Sequence, residues 1–134
     1  MKGRCIQPGR AEGEALVSEE PISFFGGVEI QTGRVIEKGH CLHGETLKDK
    51  IVVFPCGKGS TVGSYVIYGL KMNGAAPKAI LNQRTETIVA TGVILAEIPC
   101  VDGIDIARIH TGDWVVLDAE QGEVTIVNST GCTP

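Results

Sequence analysis

The sequence predicts an α/β domain with a mixed sheet, crossover helices and a C-terminal β-hairpin. Between residues 51 and 101, apolar segments typical of strands alternate with helix-like segments in the order strand, helix, strand, helix, strand. That order is typical of right-handed crossovers between parallel strands. Two further apolar segments, 113–118 and 123–127, flank a glycine-containing loop, as expected for an antiparallel hairpin.

The length of the chain, 134 residues, fits a single domain that can bury a core without disulfides or metals. We expect this domain to span residues 1–127, and we expect residues 128–134 to form a flexible tail. Aromatic residues make up only 4% of the chain, so the core must consist mainly of Val, Ile, Leu and Ala.

Charge and hydropathy argue against two classes of partner. The net charge is −4 and the basic residues form no cluster, so we expect no nucleic-acid partner. No segment approaches the roughly 18 apolar residues of a membrane span, and Met1–Cys5 lacks the apolar core of a secretory signal. The sequence therefore predicts a cytoplasmic protein that does not associate with membranes.

The cysteines predict reduced thiols and no metal-binding framework. They are odd in number, widely spaced and contain no C-x-x-C pair, which indicates neither a zinc ribbon nor a thioredoxin motif. The five are Cys5, Cys41, Cys56, Cys100 and Cys132.

The first half of the chain has two short predicted strands, 2–6 and 14–18, with Arg10 in the turn between them. Residues 21–50 show little periodicity, and such a long irregular stretch in a compact domain is often functional. Its His40, Cys41 and His43 lack a second group of ligands at a usual spacing. We therefore expect hydrogen-bonded or surface histidines and no metal site, although the role of these three residues stays open.

Two helices are predicted in the second half. The first runs from about Thr61 to Met72, and its helical spacing places Tyr65 on an apolar face, so Tyr65 and Tyr68 are expected to pack in the core. The second helix ends near Glu97 and has Thr85 or Thr87 as its cap. Gly92 lies inside this helix and disfavours it by about 1 kcal/mol relative to alanine.

A glycine-rich turn links the apolar strand 51–54 to the first helix and carries Ser60. A strand, a glycine turn and a helix start place backbone N–H groups and the positive end of a helix dipole around one hydroxyl. This arrangement suits an anion, or a serine that works ionised. The alternative is that Ser60 only caps the helix. Gly57–Gly63 fits neither the P-loop nor the nucleophile-elbow spacing.

Several stretches match a known family in their order and spacing. They are Phe24–Val28, Thr32–Gly33, His40 with Gly44, Phe54–Thr61 and Ala75–Ile80. Together they resemble the small subunit of the aconitase X type of hydro-lyase, and the resemblance covers residues 2–127. It implies the swivelling β/β/α domain of aconitases, equivalent to their domain 4, which docks as a lid on a large subunit.

The resemblance also implies an activity. Members of this family dehydrate (R)-mevalonate 5-phosphate to trans-anhydromevalonate 5-phosphate in the archaeal mevalonate pathway, whereas bacterial relatives dehydrate cis-3-hydroxy-L-proline. An iron–sulfur cluster, expected to be of the four-iron four-sulfur type, is implied on the large subunit of a heterodimer. No cluster ligand is expected on this chain, and Cys56 is interpreted as a packing residue.

The resemblance assigns Ser60 as the catalytic base. A serine hydroxyl is a very weak base, so its alkoxide needs electrostatic stabilisation by N–H groups at a helix start and by nearby cations. Arg10 and Lys58 are the candidate cations. The expected binding residues for a small anionic hydroxy acid are Arg10, Lys58, Gly59, Thr61, Gly26 and Gly27. The competing hypothesis is a non-catalytic anion-binding module, which would use the same turn without needing Ser60.

Overall fold

The computed structural model describes residues 1–127 of the chain, and its main feature is a curled mixed sheet. Seven strands form this sheet in the order β1-β7-β6-β4-β2-β8-β9, and two short strands, β3 and β5, pair separately. The strands are β1 (Arg4–Gln7), β2 (Arg10–Val17), β3 (Ile22–Ser23), β4 (Ile51–Phe54), β5 (Gly57–Lys58), β6 (Ala79–Asn82), β7 (Cys100–Asp102), β8 (Trp114–Asp118) and β9 (Glu123–Val127).

The direction of the strands confirms the predicted mixed sheet. The four central strands β2, β4, β6 and β7 are parallel. β1 is antiparallel to β7, and the β8–β9 hairpin is antiparallel to β2 and within itself. The crossover unit and the C-terminal hairpin are both present as the sequence predicts.

The helices lie in the crossovers. A single irregular turn, α1 (Phe24–Gly27), is followed by the two crossover helices α2 (Gly63–Met72) and α3 (Thr87–Ala96). A short 3₁₀ helix spans Ile106–Arg108. Gly74, with a φ of 70°, follows the end of α2 in the left-handed conformation that a helix C-terminus favours.

Both faces of the central strands are buried, which explains why β4 reads as a continuous apolar run. Val52 and Phe54 face a core that includes α2 and α3. Ile51 and Val53 face a second core, which contains Val115 and other residues of the hairpin. The sheet therefore curls so that the hairpin covers the face opposite the helices.

The predicted turn that contains Arg10, between strands 2–6 and 14–18, is wrong in its extent. β2 starts at Arg10, and Gly13 pairs with Val115 inside the ladder between β2 and β8. The turn is confined to Pro8 and Gly9, where Gly9 has a φ of 135°. Pairing with β8, a strand about a hundred residues later in the sequence, extends β2 through a segment with weak local strand signals.

The predicted packing role of Tyr65 and Tyr68 is also wrong, because their side chains are 68% and 40% exposed. α2 instead buries Gly63, Ser64, Ile67 and Leu70. Two of these four residues are small, and α3 lies very close to this face. A Cβ on Gly92 of α3 would lie 2.6 Å from Cδ1 of Ile67.

The cap of α3 differs from the prediction as well. The N-cap residue is Glu86, and neither neighbouring threonine caps the helix.

The expected tail, residues 128–134, lies outside the described residues. Within the described part of the chain, no helix has the length and apolar character needed to cross a bilayer.

Candidate functional site

The candidate site lies at the edge of the sheet where the parallel strands β2, β4, β6 and β7 all end. Ligands of α/β proteins commonly bind outside the carboxyl ends of such strands. From the end of β4, the chain continues through Pro55 and Cys56 into β5, and then through Gly59 and Ser60 into α2. The short β3–β5 pair fixes this segment against the irregular stretch that follows β2.

Ser60 is exposed and lies three residues before the start of α2. Its hydroxyl oxygen accepts a hydrogen bond from the Val62 N–H at 3.1 Å, and its carbonyl accepts the Gly63 N–H at 2.9 Å. The N-cap residue of α2 is Val62, which has no side-chain cap, so Ser60 bonds within the turn that leads into the helix and is not the N-cap residue of the alternative hypothesis.

Three consecutive backbone N–H groups at this turn have no partner in the part of the chain that the structure describes. They belong to Gly59, Ser60 and Thr61, just before Val62 and the ten-residue helix α2. Unpaired donors at a helix start, together with the helix dipole, favour a negative charge. The geometry therefore supplies the two elements that the sequence predicts here, an accessible hydroxyl and an electropositive backbone.

Four of the predicted binding residues lie together, and one of them, Gly59, directly precedes Ser60. Gly26, Gly27, Lys58 and Gly59 line one shallow pocket of about 370 Å³, which Ser23, Phe25 and Glu37 complete. The Lys58 ammonium group is 3.2 Å from Oε2 of Glu37, and both side chains are partly exposed. Lys58 is thus held at the rim of the pocket by an ion pair in which it can exchange its partner for another anion.

Gly59 is favoured by its backbone conformation and by the nearby Ser23 side chain. Its φ is 91°, and a Cβ there would lie 2.7 Å from the hydroxyl oxygen of Ser23. A side chain at this position would be strained by the positive φ and would displace the Ser23 hydroxyl. This contact explains why a glycine comes directly before the exposed serine.

Thr61 is adjacent to Ser60, but it lines a different depression between α2 and α3.

Arg10 is not near Ser60. Val17, at the end of β2, is level with Val53, so Arg10, seven residues earlier, lies roughly 23 Å away along the strand. Arg10 is paired instead with Asp118, at 3.4 Å, on the neighbouring strand β8.

His40 and Cys41, in the irregular stretch, form hydrogen bonds that hold the local backbone. His40 is buried, with Nε2 3.0 Å from the Pro21 carbonyl and Nδ1 accepting the Leu42 N–H at 3.0 Å. Glu20 accepts the Cys41 N–H, and this hydrogen bond is the main reason that the pKa of Glu20 lies below its ordinary value. Ligand atoms of Glu20, His40 and Cys41 lie within 4.8 Å of one another, but both His40 nitrogens are already used.

The thiols of the described residues do not form a ligand set for an iron–sulfur cluster, which is held by several cysteines. Cys5 and Cys41 are exposed, Cys56 is half-buried, and Cys100 is buried in the core. Burial raises the pKa of Cys100 to about 12, so this thiol stays protonated. The one cluster of three metal-binding side chains in the described residues contains a single cysteine.

Two acidic residues at the site have no signal in the sequence. Glu37 pairs with Lys58 from an irregular segment, where no periodicity gives its direction. Glu86 caps α3 and also accepts the Gly57 N–H at 3.1 Å. Glutamate is not among the preferred N-cap residues, so the two neighbouring threonines are the better candidates by sequence alone.

The curled mixed sheet, with two helices on one face and a glycine–serine turn after a central strand, defines a swivelling domain of the aconitase type. More narrowly, the chain belongs to the aconitase X swivel domain family, which matches residues 1–126.

Individual proteins similar to this chain are known by sequence and by structure. The chain is 55% identical to the phosphomevalonate dehydratase small subunit of Thermococcus sibiricus, over 94% of this chain and 97% of that protein. It is also 55% identical to the small subunit of the same name from Methanocaldococcus jannaschii, over 96% of this chain and 98% of the relative. The crystal structure of Thermococcus kodakaraensis aconitase X in its holo-form superposes with a TM-score of 0.93 at 54% identity, covering 95% and 97% of the two chains.

The names of these relatives have two consequences. A small subunit implies a large-subunit partner. An aconitase-like dehydratase family points to an iron–sulfur cluster on that large subunit.

Proposed function

We propose that this chain is the small subunit of a hydro-lyase that dehydrates (R)-mevalonate 5-phosphate to trans-anhydromevalonate 5-phosphate. The observation that carries the proposal is the exposed Ser60 hydroxyl, which lies in a turn with unpaired backbone N–H groups and directly follows Gly59 of the pocket lined by Lys58. The names of relatives at 55% identity over nearly the whole chain support the substrate and the archaeal mevalonate pathway.

In this proposal, Ser60 is the general base. Dehydration of a β-hydroxy acid breaks a C–H bond next to the carboxylate and a C–O bond at the neighbouring carbon, forms a C=C bond and releases water. Ser60 removes the proton on the first carbon. Its alkoxide is stabilised by the Val62 N–H, which already points at the hydroxyl oxygen, and by the start of α2.

Lys58 and the adjacent glycines bind an anionic group of the substrate. The ammonium group exchanges Glu37 for a carboxylate or phosphate oxygen, and Gly26, Gly27 and Gly59 leave room for the anion to approach the backbone. Thr61 contributes its N–H at the start of α2. Arg10 has no part in this arrangement, because it lies at the other end of β2.

The remaining chemistry belongs to the partner. An iron–sulfur cluster of the large subunit, proposed to be of the four-iron four-sulfur type, would act as the Lewis acid on the departing hydroxyl. Ser60 must then face that subunit, and so must the rim of the pocket that Lys58 lines. This rim exposes two large apolar side chains, Phe25 and Ile36, at 54% and 43%. Ile36 is next to the pocket because its N–H donates to the Gly27 carbonyl at 2.8 Å.

Reconstitution tests this division of labour. The chain and the large subunit are purified separately under anaerobic conditions, and dehydration of (R)-mevalonate 5-phosphate is measured for each one and for the mixture. We expect the isolated chain to be folded and inactive, and the mixture to be active. cis-3-hydroxy-L-proline serves as the comparison substrate. Turnover by the isolated chain, or a preference for the proline derivative, would contradict the proposal.

A further inference from the structure

The segment that carries Ser60 is attached at both ends to the first turn of α3. At one end, the Gly57 N–H donates to Oε1 of Glu86 at 3.1 Å. At the other end, the Ser64 hydroxyl donates to the Ile88 carbonyl at 3.1 Å. Ser60 lies between these two attachments, and among the described residues its hydroxyl forms a hydrogen bond only within its own turn. The position of Ser60 therefore depends on how the start of α3 holds the segment.

The Glu86 carboxylate accepts three backbone hydrogen bonds and so joins two elements. Oε2 accepts the Ile88 N–H at 2.7 Å, and Oε1 accepts the Val89 N–H at 3.1 Å, which caps α3. The third bond, from Gly57, comes from the Ser60 segment and shares Oε1. Charge-assisted hydrogen bonds of this kind are stronger than neutral ones.

Packing shows that the contact between Gly57 and Glu86 is close. A Cβ on Gly57 would lie 2.5 Å from Oε1 of Glu86 and 2.8 Å from Cγ2 of Val89. Only glycine allows β5 to approach the helix start in this way. The rest of the segment is held by β3, so the Glu86 contact fixes the remaining side.

We propose that Glu86 is a positioning residue for Ser60, which holds the Gly57–Ser60 turn in the geometry needed for proton removal. This inference rests on the function proposed above. It predicts that Glu86 affects the rate of the chemical step rather than substrate binding, because Glu86 contacts the turn through the backbone and does not line the Lys58 pocket. A displacement of about 1 Å at a reacting group can cost about 100-fold in rate.

Two substitutions separate the two roles of Glu86, which are its hydrogen bond to the Gly57 N–H and its cap of α3. Glu86→Asp shortens the side chain by one carbon, about 1.5 Å, which keeps a preferred N-cap residue but withdraws the carboxylate from Gly57. Glu86→Gln keeps an oxygen acceptor for Gly57 and Val89 but presents an amide N–H₂ group to the Ile88 N–H. Thr87→Ala is the control, because the Thr87 side chain makes no hydrogen bond among the described residues and lies on the same turn.

The experiment measures kcat, KM, melting temperature and hydrogen exchange of residues 57–62 for each variant in the reconstituted complex. We expect Glu86→Asp to lower kcat by about 10- to 100-fold with KM and melting temperature nearly unchanged, and to accelerate exchange in the turn. Glu86→Gln should lower the melting temperature and keep kcat. A purely structural role would make kcat follow the melting temperature in both variants, and that result would overturn the proposal.

Ser60→Ala, measured in the same series, separates the two proposals. If it keeps turnover, Ser60 is not the base, whereas the dehydratase function itself is tested by the reconstitution experiment. The exchange of residues 57–62 still decides whether Glu86 holds the turn. If Ser60→Ala is inactive while Glu86→Asp has the wild-type kcat, the positioning role fails and the base assignment stands.

Discussion

Ser60 is exposed and accepts one hydrogen bond, from the Val62 N–H at 3.1 Å. Replacement by alanine leaves that N–H free to bond to water, so we expect a loss of at most about 1 kcal/mol in the free energy of unfolding. Loss of a general base typically costs about 10²- to 10⁴-fold in turnover. The Ser60→Ala complex should therefore assemble and melt almost like the wild type while its dehydration rate collapses.

Thr61→Ala is the matched control for this prediction, since it removes the neighbouring hydroxyl and keeps the backbone N–H groups of the turn. Melting temperature, complex formation and dehydration rate are measured for both variants. A Ser60→Ala complex with most of its rate would remove the base assignment.

Asp102 is the residue with the clearest pH-dependent contribution to stability. Burial raises its pKa, but hydrogen bonds from the Arg4 guanidinium and the Thr85 N–H outweigh burial, so the pKa lies below the ordinary value of 3.8. A carboxyl group whose pKa falls on folding stabilises the folded state above the ordinary pKa. This contribution is lost as the pH falls through the folded pKa.

The Asp102→Asn variant should therefore be less stable than the wild type at neutral pH, and the difference in free energy should shrink below about pH 4. Denaturant unfolding at a series of pH values measures this difference. Asp105→Asn is the control, because Asp105 is an exposed carboxylate that caps only the short 3₁₀ helix. A constant difference across the acid range would show that Asp102 has no such linkage.

At the residue scale, local sequence predicts the position of Ser60 but not its surroundings. Gly57, Gly59 and the strand before them indicate a turn at a helix start, and the structure has that turn. Glu37 and Glu86 reach the turn from segments far along the chain, and their direction depends on tertiary packing. The sequence predicts that Arg10 lies in a turn and close to Ser60. In the structure Arg10 instead belongs to strand β2, because this segment pairs with β8.

At the scale of secondary-structure elements, the sequence predicts the packing of α2 against α3 least well. Helical spacing alone allows Tyr65 to face the core, but the close approach at Gly63 and Gly92 selects the opposite face. Gly92 looks unfavourable when the helix is considered alone, because glycine costs about 1 kcal/mol relative to alanine. In the structure, Gly92 is the position where the two helices meet.

We therefore expect Gly92→Ala to destabilise the protein by about 1–3 kcal/mol, although it improves helix propensity. The new Cβ would lie 2.6 Å from Cδ1 and 2.8 Å from Cβ of Ile67. Ile67→Val removes the nearest of these atoms, so the double variant should recover part of the loss. Thermal unfolding of the single and double variants measures the coupling. A stabilised Gly92→Ala variant would contradict the close approach of the helices.

At the scale of the whole molecule, the surface around Ser60 has the character of an interface. The long irregular stretch lies on one side of the Lys58 pocket and exposes Phe25 and Ile36 there. Its interior is anchored by buried residues, including Phe24, Val28 and Val35, so the exposed apolar side chains do not result from a loosely packed loop. An interface with the large subunit would cover both of them while it brings Ser60 to the partner's active site.

The last prediction concerns this surface. In the isolated chain, residues 23–46 should exchange their amide hydrogens faster than the central strands, because few of their apolar side chains are periodic and several backbone groups are exposed. Binding of the large subunit should slow exchange in this stretch, and Phe25→Ser should weaken assembly without lowering the melting temperature of the isolated chain. Met72→Ser is the control, since Met72 is 62% exposed but lies at the far end of α2, about 14 Å from its first residue. Equal exchange with and without the partner, or equal effects of the two substitutions on assembly, would place the interface elsewhere.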